Sequence, residues 1–155
     1  MSDTFDTVVG SLTMYGGLFK AIKDEEGIEK ALKLHAAALR PFGDEMAALF
    51  KQELSGKEPN MKIFNESVVK PMMTGFGFDA TFEADDRKVT VTVNKCPMYN
   101  AYVAAGLDTE TIGKMCEAAS ASEFGRLNEF YPTVHGSVKP RKTVDDICIE
   151  TFEIR

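Results

Sequence analysis

The sequence predicts an α+β fold: a helical N-terminal half packed on an antiparallel sheet of about four strands built from two hairpins. Three observations predict it. From Phe5 to Phe50 apolar residues recur at spacings of three and four, which is the helical period. Phe78, Ala80 and Phe82, then Val89, Val91 and Val93, alternate with polar residues, which is the strand period. After another helical run, a second pair of extended stretches flanks Asp145-Asp146.

The first helix is read from Phe5 to Lys23 on Val8, Val9, Leu12, Tyr15, Leu18, Phe19 and Ile22. Gly16-Gly17 weakens it, since a helical glycine costs about 1 kcal/mol relative to alanine. Ile28, Leu32, His35 and Leu39 form the stripe of a second helix, continued by Phe42, Met46, Leu49 and Phe50. Pro41 should end or kink it, because proline lacks the amide donor and disfavours the helical region at Arg40, and Asp44 is placed to cap a fresh start. The run from Ser55 to Asn60 is a loop by composition, and Ile63, Phe64, Val68 and Met72 suggest a shorter third helix ending near Thr74-Gly75.

The first hairpin turns at Asp85-Asp86-Arg87, and Cys96-Pro97 closes its second strand. Tyr99 to Ala105 reads as a short helix stopped at Gly106. Asp108 caps a longer one that runs to about Phe130, with an inward stripe of Ile112, Met115, Cys116, Ala119, Leu127 and Phe130. Pro132 lies just beyond. Ser137 to Val144 and Ile147 to Ile154 form the second hairpin, joined at Asp145-Asp146. No internal repeat or linker divides the chain, and its 155 residues suffice for one domain with a single core.

A formal net charge of −6, with no block of Lys or Arg, speaks against nucleic acid or an anionic membrane as the main partner. Small molecules or other proteins remain. No window approaches the roughly 18 apolar residues of a membrane span, and Met1 to Asp6 carries no basic and apolar leader pattern, so a soluble cytoplasmic protein is expected. The apolar surplus on several helices suits a homo-oligomer, although no heptad run specifies one.

Three cysteines, Cys96, Cys116 and Cys148, fall on separate elements. An odd number cannot all pair within the chain, and a reducing cytosol keeps them as thiols, free or liganded. Two readings stand for each. A thiol at a strand end beside Lys95 is a candidate nucleophile, whereas free cysteine is also a common small core hydrophobe. No Cys-x2-Cys or His-x3-His pair delivers two zinc ligands from one turn, so no cofactor is expected. A metal on the cysteines, with His135 as fourth ligand, is the lesser alternative.

His35 lies in the apolar stripe of the second helix, as a hydrogen-bonded core histidine does. His135, in Pro132-Thr133-Val134-His135-Gly136, is placed on a loop, where functional residues concentrate. Glu117 beside Cys116, and Asp145-Asp146 before Cys148, are candidate acids or bases, and Asp145-Asp146 also suits an ordinary tight turn. Phosphate-loop, dinucleotide, serine-elbow and zinc-protease motifs are absent from the sequence.

The run from Val89 to Phe152 nonetheless has a pattern: Val91-Thr92-Val93-Asn94-Lys95-Cys96-Pro97, then Met115-Cys116-Glu117, then Arg141-Lys142-Thr143-Val144-Asp145-Asp146-Ile147-Cys148. It resembles the family named after L-2-amino-thiazoline-4-carboxylic acid hydrolase, a bacterial enzyme that opens a thiazoline ring. That family carries Cys-Pro after a valine-rich strand, a second cysteine on a helix near acids, and Asp-x-Cys in a terminal hairpin. The chain departs from it at Val144, where a glycine is common, at Glu150, where an aromatic is expected, and at Ala119 and Ser120, which replace acids.

The resemblance implies a hydrolase that attacks the C=N carbon of a small cyclic amidine. Cys96 would be its nucleophile or polariser, with Cys116 and Cys148 in the same site and Glu117 or Asp146 handling protons. Arg141, with Tyr99 and His135, would hold the substrate. The alternative is a non-catalytic small-molecule-binding or sensor domain whose cysteines line a pocket.

Overall fold

A computed structural model describes residues 3–155. Met1 and Ser2, part of the N-terminal stretch read above for a leader, lie outside the described residues. The order is α1 (Asp3–Glu26), α2 (Ile28–Leu54), α3 (Met61–Phe64), a π-helical turn (Asn65–Val69), α4 (Lys70–Gly75), β1 (Asp79–Ala84), β2 (Lys88–Lys95), α5 (Pro97–Ala104), α6 (Thr109–Phe130), β3 (Val134–Lys139) and β4 (Cys148–Ile154). The fold is α+β, with a helical N-terminal half and one antiparallel sheet in the order β1-β2-β4-β3. No helix among the described residues is long and apolar enough to cross a membrane.

Local chemistry sets most boundaries. Asn60 starts α3 by accepting the Ile63 amide at 3.1 Å, and Asp108 starts α6 by accepting that of Thr111 at 2.8 Å. The Asp85 carboxylate accepts the amides of Arg87 and Lys88, both at 2.8 Å, which closes the first hairpin. Pro97 takes the first position of α5, where its missing amide costs nothing. Gly16 is tolerated inside α1 because α5 crosses there, and a Cβ at Gly16 would stand 2.9 Å from Cβ of Ala105.

Two expectations are corrected. Helix α2 does not end at Pro41 but runs through it to Leu54. The carbonyl that proline deprives of its bond belongs to exposed Ala37, which faces solvent, and in the same turn the Ser122 hydroxyl donates to the Ala36 carbonyl at 2.8 Å. The second hairpin is not a tight turn at Asp145-Asp146. Strand β3 begins at Val134 and ends at Lys139, and residues 140–147 form a longer loop.

The register defines two faces. Val89, Val91 and Val93 stand opposite Phe152, Glu150 and Cys148, and Gly136 and Val138 on β3 continue the rows of Phe152 and Glu150. This inner face packs on Met46, Phe50, Phe64, Val68, Phe124 and Leu127. A second apolar cluster, with Phe19, Tyr99, Tyr102, Ile112 and Met115, joins α1, α2, α5 and α6, and Cys96 touches both clusters. Phe130, expected in the inward stripe of α6, is 53% exposed.

Candidate functional site

Cys96 is the residue before α5, and its sulfur accepts the Tyr99 amide at 3.3 Å. Cys116 lies on the inward stripe of α6. Cys148 opens β4 on the inner face, opposite Val93. The three thiols share one interior: the Cys116 proton affinity is raised by both Cys96 and Cys148, and that of Cys148 by Cys96. All three are half-buried. Burial is the main influence on each. It pushes Cys96 up to about 11 and Cys148 up to about 12, and raises Cys116 as well.

Arg141 is 3% exposed, and its positive charge acts on all three thiols. Its Nη2 donates to the Val93 carbonyl at 2.8 Å, and its Nη1 to those of Asn94 at 3.3 Å and Val144 at 3.2 Å. The guanidinium lies over the Tyr99 ring, 5.6 Å from its centroid. Arg141 therefore ties the β3–β4 loop to the end of β2, and most of the fork expected to grip a substrate is engaged by backbone. Its Nε is buried without an acceptor among the described residues. Tyr99 is equally committed, its hydroxyl donating to the Lys142 carbonyl at 2.9 Å.

The remaining sequence candidates fall elsewhere. Asp146 accepts the amides of Lys142 and Thr143, both at 3.1 Å, so its carboxylate builds the loop, and it is exposed. Glu117 follows Cys116 by one residue, about 100° around the helix, and is exposed. It lines an open groove between α6 and the edge of β3, with Phe124, Asn128, His135 and Ser137. His135 is in a strand rather than a loop, opposite Glu153 in the outer row of the sheet, away from the thiols. It is no partner of the cysteines for a substrate or a metal. No group of three or more His, Cys, Asp or Glu among the described residues is arranged to hold a metal ion.

The acid that acts on the thiols is Glu150, and Glu123 in turn lies within its reach. Glu150 stands between Val91 and Val138 on the inner face, two residues after Cys148, and its charge raises the proton affinity of all three thiols. Glu123 lies seven residues after Cys116 on the same inward stripe, and Glu150 acts on it. Burial pushes Glu150 up to about 7 and Glu123 up to about 8, the latter with a further push from Glu150. The readable signal was spacing: strand period from Cys148 and helical period from Cys116.

His35 is a core residue held by Tyr15, whose hydroxyl lies 2.7 Å from its Nδ1. Comparison with known proteins brings no match: no family model, curated protein or solved structure is similar to this chain.

Proposed function

We propose that this protein is a hydrolase that opens the C=N bond of a small cyclic amidine, as the resemblance to the thiazoline-carboxylate hydrolase family implies. One observation carries the reading: three thiols from three separate elements converge on one interior that also receives the carboxyl of Glu150. Cys96 is the nucleophile. It sits at the N-terminus of α5, accepts the Tyr99 amide and feels Arg141, and all three favour a developing thiolate. Glu150 takes the proton role earlier expected of Glu117 or Asp146. Sulfur adds to the amidine carbon, one ring bond at that carbon breaks, and water then displaces the sulfur.

A second reading, a non-catalytic ligand-binding or sensor domain, is favoured by the raised thiols. With Cys96 pushed up to about 11, only about one thiol in ten thousand is thiolate at neutral pH. The deciding experiment incubates wild type and Cys96→Ser with 2-amino-thiazoline-4-carboxylate and follows ring opening by product thiol. Turnover by wild type that is lost in the variant supports the hydrolase. Binding with no turnover in wild type supports the second reading.

A further inference from the structure

Strand β3 is one edge of the sheet and pairs with β4 alone. The Arg155 amide donates to the Thr133 carbonyl at 2.9 Å, which sets the alternation of the ladder. Thr133, His135, Ser137 and Lys139 turn their backbone groups toward β4, while Val134, Gly136 and Val138 turn theirs away from the sheet. Val134 is satisfied at both groups, its amide by the Tyr131 carbonyl at 2.8 Å and its carbonyl by Nδ2 of Asn128 at 2.9 Å. Pro140, just past the strand, has no amide to offer. Left over among the described residues are the N–H and C=O of Gly136 and of Val138, four groups without a protein partner. They open on the groove between this edge and α6, about 370 Å³, whose helical wall is made of Ser120, Ala121, Phe124 and Gly125.

We propose that a second copy of this chain occupies the edge, β3 pairing antiparallel with β3 about a two-fold axis through Ser137. In that register Gly136 of each copy exchanges both of its hydrogen bonds with the partner's Val138, so every unpaired group on the edge is used and the pair closes. Ser137 meets the partner's Ser137 in the outer row and lengthens a run of hydroxyls that already holds Thr90 and Thr151. The partner's Val138 comes alongside Gly136 in the inner row, which brings an apolar side chain into the groove next to the Phe124 ring that lies over Gly136. The pairing stands whether or not the thiols catalyse.

Charge selects this edge. The chain carries −6, so two copies repel in general, yet the outer row of β3 holds His135, Ser137 and Lys139 and no carboxylate. Strand β1, the opposite edge, also turns backbone groups outward, but exposed Glu83 lies in its outer row between exposed Asp79 and Asp85. A second copy there would set carboxylate against carboxylate, which is how natural edges are kept single.

The interface is one strand pair and the walls of a groove, so it belongs to the small, reversible class, and sedimentation of wild type from about 5 to 500 µM should show a monomer–dimer equilibrium. Val138→Pro removes an outward donor and no bond to β4, and should weaken the pair about thirtyfold, two hydrogen bonds being lost per dimer. Ser137→Lys keeps its bonds to β4 and sets like charges opposite each other across the axis, which should weaken it about fivefold. In hydrogen exchange of wild type, the Gly136 and Val138 amides should slow as concentration rises, while those of His135 and Ser137 are protected throughout. A wild type that stays monomeric, or that grows beyond two copies, overturns the pairing. A dimer whose Gly136 and Val138 amides exchange at the same rate at every concentration overturns it too, as does one that Ser137→Lys leaves intact. Should Val138→Pro not fold, Ser137→Lys and the exchange rates decide alone.

Discussion

Glu150 stands directly opposite Val91 in the β2–β4 ladder, so a carboxyl projects from the apolar face of the sheet rather than from its solvated one. Burial raises it from its ordinary 4.5 to about 7. Between those values the folded chain holds a proton that the unfolded chain has lost, so stability falls as pH rises through this window. Glu150→Gln removes the effect. The stability difference between variant and wild type should widen by roughly 3 kcal/mol from pH 4.5 to pH 8. Urea unfolding across that range reads it, and parallel curves would show that Glu150 titrates as an exposed side chain does.

Arg141 supplies a different prediction, because it joins the β3–β4 loop to the last turns of β2 through three carbonyls. Arg141→Met leaves those acceptors unpaired and should cost about 3 kcal/mol. Arg141→Lys should recover less than half, since one ammonium cannot reproduce a planar fork. Removing the cation also raises Cys96 and Cys148 further, so alkylation by iodoacetamide at pH 8.5 should slow in Arg141→Met. Unchanged stability together with unchanged alkylation would rule out the brace.

Much of this arrangement was legible before any coordinates. The valine alternation of β2, the Cys96-Pro97 close of that strand and the Asp108 cap are local signals, written in neighbouring residues. His135 was misplaced because Gly136 and the polar residues around it blur the strand period just after Pro132, so a strand reads as a loop. Pro41 was read as an end or a kink because its local cost is real, yet packing along the whole of α2 carries the helix through it. Glu150 and Glu123 stayed hidden for an opposite reason. A charged residue at an inward position contradicts the rule that assigns inward positions, and only tertiary packing shows that the period holds through it.

Gly136 tests the packing of α6 on β3. A Cβ there would stand 2.5 Å from Cγ of Phe124, inside van der Waals contact with a ring that is itself buried. Gly136→Ala should therefore destabilise by about 2 kcal/mol, as overpacking does. Phe124→Ala removes the obstructing Cγ and Cδ2. The double variant should lose less than the sum of the single losses, a coupling that thermal unfolding of all four proteins measures. Strict additivity would mean that the strand moves away at no cost.

The last prediction concerns Tyr15 and His35 and acts on the opposite side of neutrality. The Tyr15 hydroxyl hydrogen-bonds with Nδ1 of His35 at 2.7 Å, and the Met115 backbone favours the protonated ring. Tyr15→Phe strands that nitrogen in the second apolar cluster and should cost about 1 to 2 kcal/mol. Burial holds His35 below its ordinary 6.5, so under that pH the unfolded chain binds a proton that the folded chain refuses. Stability is then lost as pH falls, whereas Glu150 and Glu123 lose it as pH rises. The two trends oppose each other between about pH 4.5 and 6.5, which flattens the wild-type profile there. His35→Gln takes away the acid-side contribution alone. Its stability should fall more steeply with rising pH across that window than wild type does, and a His35→Gln profile parallel to wild type would show that the imidazole titrates normally in the folded protein.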